Sequence, residues 1–436
     1  ALTRAQRAEA KHFDVIIAGG GLVGASLAVA LRGSGLAVAV VEPVAAAADQ
    51  QPSFDERRTA LAPTSQRFFS QLGLWPAIAE QAAPIRRIHV SDQGHGGFSR
   101  LDADEEGLDA LGHVVANRVL GHVLRPAMAK AAAVFCPAEI TGTQLIYAGD
   151  AAPSADGTTT ATATGRKVHL RTHNGEETLT TALLVVADGM RSATRESLGV
   201  GLDERDYGQS AIIANLRVSK PHGGVAYERF TPHGPLALLP IDTHSMSLVW
   251  TLDPDTAQQF AHEVTDAAFL ARLQADFGWR LGQLTAVGER SVYPLTAVSA
   301  EQFAVERAVI LGNAAHALHP VAGQGFNLAV RDVAALAQAL GALADTPNTV
   351  TDPGEPGRLQ DYARSRQSDY KRTFTFTDGL VRVFSNAFLP LVAARNIGLT
   401  MLDLLPPARR LLLKQATGAA GDVPRLCQPV SPPQEH

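Results

Sequence analysis

The clearest pattern lies near the N-terminus, where Asp14-Val15-Ile16-Ile17-Ala18 forms a compact, mostly apolar run that ends at glycines. A short run of that kind predicts a buried strand. Small and apolar residues follow from Leu22 to Arg32, are closed by Gly33-Ser34-Gly35, and predict a helix. Val38-Ala39-Val40-Val41 predicts a second strand. Strand, helix and strand within about thirty residues make a βαβ unit, which implies a parallel sheet with a right-handed crossover. Beyond Pro43 the pattern becomes irregular, and a helix is expected near Ser65 to Leu72. Ile140 to Tyr147, Val168 to Thr172 and Thr178 to Val186 predict strands, with Asn174-Gly175 as the turn between the last two. Ala148 to Gly165, rich in Ala, Thr, Gly and Ser, reads as an exposed, mobile loop. Short β-like runs from Ala211 to Thr251 carry Pro and Gly turns but no nucleotide fingerprint, so they are assigned to a separate, substrate-side sheet. From Asp332 onward the pattern is mostly helical, and no internal repeat is found.

Length and composition narrow this picture. A chain of 436 residues exceeds what one hydrophobic core usually organises, so two domains are expected. The 46% hydrophobic and 19% charged composition is that of a folded globular chain. A net charge of −5 argues against nucleic acid as a partner, since phosphate binding needs a basic face. Cys136 and Cys427 lie in no CxxC or Cys/His cluster, so neither a metal site nor a disulfide framework is expected, and a reducing cytoplasm suits that usage. Ala1 to Lys11 has no apolar stretch of the kind a secretory signal needs. The nearest approach to a membrane span, Val383 to Leu405, is interrupted by Asn386, Pro390, Arg395, Asn396 and Asp403, so no transmembrane helix is expected.

Candidate chemistry begins at Gly19-Gly20-Gly21-Leu22-Val23-Gly24, a G-x-G-x-x-G placed where a strand gives way to a helix. The first glycine permits the tight turn, the second lets backbone approach a pyrophosphate, and the third lets helix pack on strand. The helix N-terminus then offers unsatisfied N–H groups and a positive dipole end to the phosphates. Glu42 ends the second strand about twenty residues on, where a carboxylate accepts from ribose hydroxyls. These features predict a dinucleotide and leave FAD and NAD undivided. Two later segments bear on that choice. Ala187-Asp188-Gly189-Met190-Arg191-Ser192-Ala193-Thr194-Arg195 follows a strand. Gly312-Asn313-Ala314-Ala315-His316-Ala317-Leu318-His319-Pro320-Val321-Ala322-Gly323-Gln324-Gly325-Phe326-Asn327 lies between the strand Val309-Ile310-Leu311 and a helix containing Asp332. Glycines at that helix start would set backbone donors against the anionic edge of a reduced isoalloxazine ring.

The three segments resemble, in order and spacing over nearly the whole chain, the three fingerprints of the FAD-dependent aromatic hydroxylases related to p-hydroxybenzoate hydroxylase. Within that group the chain is most similar to the ubiquinone-biosynthesis hydroxylases, especially the 2-polyprenyl-6-methoxyphenol (UbiH-type) hydroxylases. Phe54-Asp55-Glu56-Arg57-Arg58-Thr59-Ala60-Leu61, Ile88 to His95, His319 to Leu328 and Arg395-Asn396-Ile397-Gly398-Leu399 carry that closer likeness. One departure stands out: the third fingerprint usually begins Gly-Asp, and here it is Gly312-Asn313. Asn313 keeps a carbonyl acceptor and loses the charge.

The resemblance implies an α/β fold: a Rossmann-like FAD-binding domain of the GR2 type, a smaller mixed β-sheet substrate domain, and C-terminal helices. The FAD-binding domain is expected over 12–75, 113–200 and 297–365, and the substrate domain over 76–112 and 201–296. A helical region follows over 366–420, with flexible ends at 1–11 and 421–436. The resemblance also assigns Gly19, Gly21, Leu22, Val23 and Gly24 to the pyrophosphate and Glu42 to the ribose. Arg57, Asn117 and Asp188 are assigned to further FAD contacts, and Gly312 and Asn313 to the ribityl chain. Gly325, Phe326 and Asn327 would border the flavin ring, with Pro320, Gly323 and Gln324 as further cofactor contacts. Arg195 is either a structural ion-pair partner or a cofactor contact.

The implied reaction uses NAD(P)H or another electron donor and O2, through a flavin C4a-hydroperoxide, to hydroxylate the ring of a polyprenylated phenol or another aromatic. The alternative is a flavin-binding accessory subunit of a quinone-biosynthesis complex. Phenolate is a better nucleophile than phenol, so a proton acceptor is expected. The sequence names none: His316, His319 and Tyr227 are the candidates, with the motif histidines more often holding a loop. His89, His95, His233 and His244 show no metal-ligand spacing. Leu404 to Lys414 mixes Arg409, Arg410 and Lys414 with leucines, either as an interfacial helix at the inner face of the cytoplasmic membrane or as a helix capping the FAD domain. Other ubiquinone-biosynthesis proteins are expected as partners on the same resemblance.

Overall fold

The computed structural model describes residues 11–45, 57–148, 162–342, 350–384, 396, 398, 401 and 405–429. The βαβ unit forms as the pattern predicts, with strand His12–Ala18, helix Leu22–Ala30 and strand Val38–Val41. The strands pair in parallel, Val15 against Val38 and Ala18 against Val41. His12–Ala18 is also parallel to Gly175–Val186, which is in turn parallel to Ala308–Ile310. This puts the first strand in the middle of an eight-stranded sheet. Val15 to Ala18 read as continuously apolar because both faces of the strand are covered there. Val15 and Ile17 join the cluster under helices Leu22–Ala30, Asn117–Ala131 and Gln324–Ala339, while Ile16 joins the opposite one with Val168, Leu170 and Leu179.

The strand expected over Ile140 to Tyr147 is Ala138–Tyr147, and those expected at Val168 and Thr178 begin earlier, as Ala163–Thr172 and Gly175–Val186. Most of the loop expected over 148–165 lies outside the described residues. Its last part, Ala163 to Gly165, is strand instead, because Ala163 pairs with Tyr147 and Gly165 with Ile146. Composition alone missed this: small residues suit a strand where a neighbouring backbone comes close. A Cβ at Gly165 would lie 2.6 Å from the Thr181 carbonyl oxygen.

Strands from Ala211 to Thr251 do build a second sheet, but it has nine strands and draws on more distant segments. Leu202–Val218 pairs with both Ser245–Leu252 and Ser291–Ala300, while Val225–Thr231 pairs antiparallel with Gly234–Asp242 and parallel with Arg87–Asp92. Its outer face buries Ile212, Leu238, Leu248 and Trp250 against Phe269 and Phe277 of helix Asp266–Phe277. That helix and the preceding Pro254–His262 start at capping residues, with Asp253 accepting from the Thr256 N–H and Thr265 from the Ala268 N–H. A three-stranded sheet, Arg58–Leu61, Gly112–Ala116 and Ala83–Ile85, joins the two large ones.

The chain from 421, expected to be flexible, is packed over its described part. Leu426 and Cys427 are buried in the same cluster as helix Leu22–Ala30, and Gln71 Nε2 donates to the carbonyls of Arg425 and Gln428. Two apolar side chains in a polar stretch sufficed to anchor it, which patterning over longer windows does not reveal. Phe54 to Glu56, Arg395, Ile397 and Leu399 lie outside the described residues. Asn396 ties two of the look-alike segments together: its Nδ2 donates to Asp92 and its Oδ1 accepts from the Gly97 N–H. Among the described residues, no helix is long and apolar enough to cross a membrane.

Candidate active site

The first glycine turn lies directly against the second fingerprint. Gly19 has φ +97°, and a Cβ there would sit 2.5 Å from the carbonyl oxygen of Ala187. Gly24 packs as closely, since its Cβ would fall 1.9 Å from the Gly19 carbonyl oxygen. These two positions accept only hydrogen as a side chain, for the reasons the G-x-G-x-x-G spacing predicts. Helix Leu22–Ala30 starts at Gly21 with no side-chain cap, so the first N–H groups have no side-chain acceptor and are available to an anion. Glu42 is buried, and it does more than await a ribose. Its Oε2 accepts from the Gly20 N–H at 2.6 Å and its Oε1 from the Val44 N–H at 2.8 Å. Each oxygen keeps a second lone pair, so the carboxylate shapes the turn and can still accept from a ligand.

One cavity of about 1000 Å3 runs from this turn to the inner face of the nine-stranded sheet. Gly19, Gly21, Leu22, Val23 and Glu42 line one end, with Arg57, Asn117 and Asp188 beside them. Asn313, Pro320, Gly323, Gln324, Gly325, Phe326 and Asn327 line the middle. Segments from Gly19 to Asn327 are thus brought to one wall. Gly24 and Gly312 lie behind it: Gly312, at φ +61°, turns the chain close against Val23. Arg57 places its guanidinium 5.3 Å from the ring centre of Tyr293. Asn117 Oδ1 accepts from Thr59 Oγ1 at 2.7 Å.

Several predicted residues have their side chains committed to protein. Asn327 is the clearest: its Oδ1 accepts from the Ala62 N–H and Ser65 Oγ, and its Nδ2 donates to the carbonyls of Ala60 and Gly323. It clamps the start of helix Gln324–Ala339 to the Arg58–Leu61 strand, so it positions the wall and has no spare amide proton for a ring. Gln324 Nε2 donates to the Ala416 carbonyl, tying that helix start to helix Pro406–Ala416. Arg195 is buried and outside the cavity lining. Its guanidinium donates to the carbonyls of Met190 and Ala314, which joins the second fingerprint to the third.

The two histidines are also behind the wall. His316 is buried against Asp332, with Nε2 at 2.5 Å from Oδ2. Arg366 Nε donates to the other oxygen of Asp332 at 2.7 Å, and Arg366 also meets Asp369, which accepts from Arg331 at 2.8 Å. Burial would raise the Asp332 carboxyl, but His316 and Arg366 outweigh it and hold it low. His319 is pushed down to about 4, mainly by burial, and its Nδ1 accepts from the Val321 N–H. Neither ring lines the cavity. Tyr227 borders it, but its ring packs at 5.3 Å on Phe277 and near His89, towards the sheet's outer helices.

The sequence reading passed over the neighbour of Tyr227. Side chains alternate along a strand. On Val225–Thr231, Tyr227 and Arg229 face the outer helices, where Arg229 donates to the Asp276 carbonyl. Ala226, Glu228 and Phe230 face inward and line the cavity. A glutamate between alanine and phenylalanine on an apolar face was the available signal. Glu228 is half-buried, but its Oε1 is shielded from solvent with no hydrogen-bond partner among the described residues. Burial pushes its carboxyl up to about 7. The far end of the cavity is apolar: Leu101, Leu111, Leu239, Leu412 and Leu413 on one side, Phe376, Leu380 and Phe384 on the other.

A dinucleotide cradle opening into an apolar chamber defines a cofactor-dependent oxidoreductase. The FAD-binding domain family model matches residues 12–377, and the chain belongs to that family as a flavin-dependent monooxygenase. It is 35% identical over 425 residues to ubiquinone hydroxylase UbiL of Rhodospirillum rubrum, covering 96% of this chain and 94% of that one. It is 31% identical to 3-demethoxyubiquinol 3-hydroxylase of Escherichia coli, covering 93% and 98%. Among solved structures, p-nitrophenol 4-monooxygenase PnpA of Pseudomonas putida superposes with a TM-score of 0.72 at 18% identity, over 93% of this chain and 98% of that one. The cofactor is FAD, with O2 as the co-substrate of a monooxygenase. The residues present fit it: the Gly19 and Gly24 contacts leave a bare backbone cradle, and Asp188 Oδ1 is shielded with no protein partner among the described residues.

Proposed function

We propose that this monooxygenase hydroxylates the aromatic ring of a polyprenylated phenol in ubiquinone biosynthesis. The observation that carries the reading is the continuous cavity, which begins at the nucleotide cradle and ends in a leucine-rich chamber. A small hydrophilic phenol has no use for so much apolar wall, whereas a prenyl tail buries its methylenes there. Similarity to ubiquinone hydroxylases over more than nine-tenths of the chain supports the same substrate class.

Gly19, Gly21 and the N–H groups of Leu22 and Val23 would hold the FAD pyrophosphate, Glu42 the ribose, Asp188 and Asn313 the segment towards the ribityl chain, and Gly325 and Phe326 the ring edge. The flavin supplies the oxygen-activating redox chemistry when bound. The chain's own part is to orient the phenol and keep water away from it. Phe230 and Phe384, stacked at 3.7 Å, close one side, and helix Pro406–Ala416 closes another through Leu412 and Leu413.

That helix also turns Leu411, 71% exposed, outward beside Arg410, with Leu405 48% exposed at its start. A peripheral contact with the membrane that holds the substrate follows naturally from a wall helix of this kind. The test is deletion of the gene and profiling of quinone intermediates, together with product analysis from the isolated holoenzyme. Accumulation of one prenylated phenol and its conversion in vitro with NAD(P)H and O2 are expected. Normal quinone levels and no converted prenylated phenol overturn the reading.

A further inference from the structure

Glu228 stands at the centre of a row that crosses the nine-stranded sheet. Val249 pairs with Ala237, Ala237 with Glu228, Glu228 with Val90, and Val90 with Ser99. All five line the cavity. Two of them are polar, and both carry unanswered groups: Glu228 Oε1 and Ser99 Oγ are shielded from solvent without a hydrogen-bond partner among the described residues. Ser99 is 1% exposed. Leaving two such groups bare on an apolar floor is costly unless a ligand answers them. The cavity that would bring that ligand is the one described above.

We propose that Glu228 is the catalytic residue that accepts the proton of the substrate's ring hydroxyl, with Ser99 as a second polar contact to the same ring. The inference rests on the proposed phenol substrate. In this step the phenolic O–H bond breaks, its proton passes to a carboxylate oxygen of Glu228, and the electron pair stays on the substrate oxygen. The phenolate so formed is the better nucleophile for the ring hydroxylation that follows. A carboxyl poised near neutrality is suited to the exchange.

Few charges compete for the role. Arg57, Arg58, Glu42, Asp188, Tyr227 and Tyr293 are the titratable groups lining the cavity with it. On the neighbouring strand Asp92 is tied to Asn396 and His95, and on helix Pro356–Phe384 Asp378 is tied to Arg205 and Arg382. From helix Pro406–Ala416, Arg409 pairs with Glu105 and Glu106, while Arg410 and Lys414 are exposed.

Phenols, prenylated and unprenylated, are added to the oxidised holoenzyme, and the phenolate absorption band is read across pH 5.5–9. Wild type is expected to develop the band on binding, with a midpoint well below that of the free phenol. Glu228→Gln is expected to retain its flavin, lose the band at neutral pH, and form hydroxylated product at least tenfold more slowly. Glu228→Asp restores part of both, and a phenol acidic enough to ionise unaided restores turnover in Glu228→Gln. A wild-type band with an unchanged midpoint in both variants overturns the proposal, as does no band from any phenol. A band with unprenylated phenols alone keeps Glu228 in its role and removes the polyprenyl substrate. If Glu228→Gln loses its flavin, the Glu228→Asp midpoint decides: a shift supports the proposal and none overturns it.

Discussion

Asn313 occupies the place where the resembling flavoproteins carry an aspartate, and it is exposed into the cavity wall beside Gly312. An amide carbonyl accepts a hydrogen bond more weakly than a carboxylate, because the charge-assisted bond is roughly twice as strong. Asn313→Asp is therefore expected to lower the FAD dissociation constant about 3- to 10-fold, close to 1 kcal/mol. Flavin fluorescence titration of the apoprotein checks it, and unchanged affinity would show that the side chain does not reach the cofactor. At the same scale, Glu42 and Asn327 carry more structural duty than their motif positions imply. One carboxylate fixes two backbone amides, and one amide satisfies all four of its hydrogen-bonding partners.

Helix Gln324–Ala339 presents its N-terminus to the cavity and its middle to a buried charge network. Asp332 holds His316, and through Arg366 the network extends to Asp369 and Arg331. These groups are 5% exposed or less, so removing one partner leaves the others desolvated and unbalanced. Arg366→Leu is expected to destabilise the fold by about 3–5 kcal/mol, read as a lower denaturant midpoint, with faster loss of flavin. An unchanged midpoint would mean that neighbours repack around the lost guanidinium. The network also explains the motif histidine: His316 anchors the loop leading into the helix, and its ring lies behind the wall that the loop forms.

For the whole molecule, the wall helix Pro406–Ala416 separates the apolar chamber from the surface, with Leu412 and Leu413 inward and Leu411 outward. Leu411→Glu is expected to reduce co-sedimentation with anionic phospholipid vesicles several-fold, while turnover of a short-chain phenol is retained. Equal vesicle binding would remove the membrane contact. The sequence by itself determined the βαβ unit, the pyrophosphate turn and the order of the three fingerprints. These depend on local constraints: which positions tolerate only glycine, and which runs are apolar on both faces. Only the tertiary structure decided that Asn327 is a clamp, that the histidines stand behind the wall, and that Leu426 and Cys427 pack down. It also decided that Glu228 faces a cavity whose other walls come from strands and helices hundreds of residues away. Strand alternation placed Glu228 opposite Tyr227, but which face is floor and which is packed under helices depends on what folds against each. That partnership is set by long-range packing, and no local pattern encodes it.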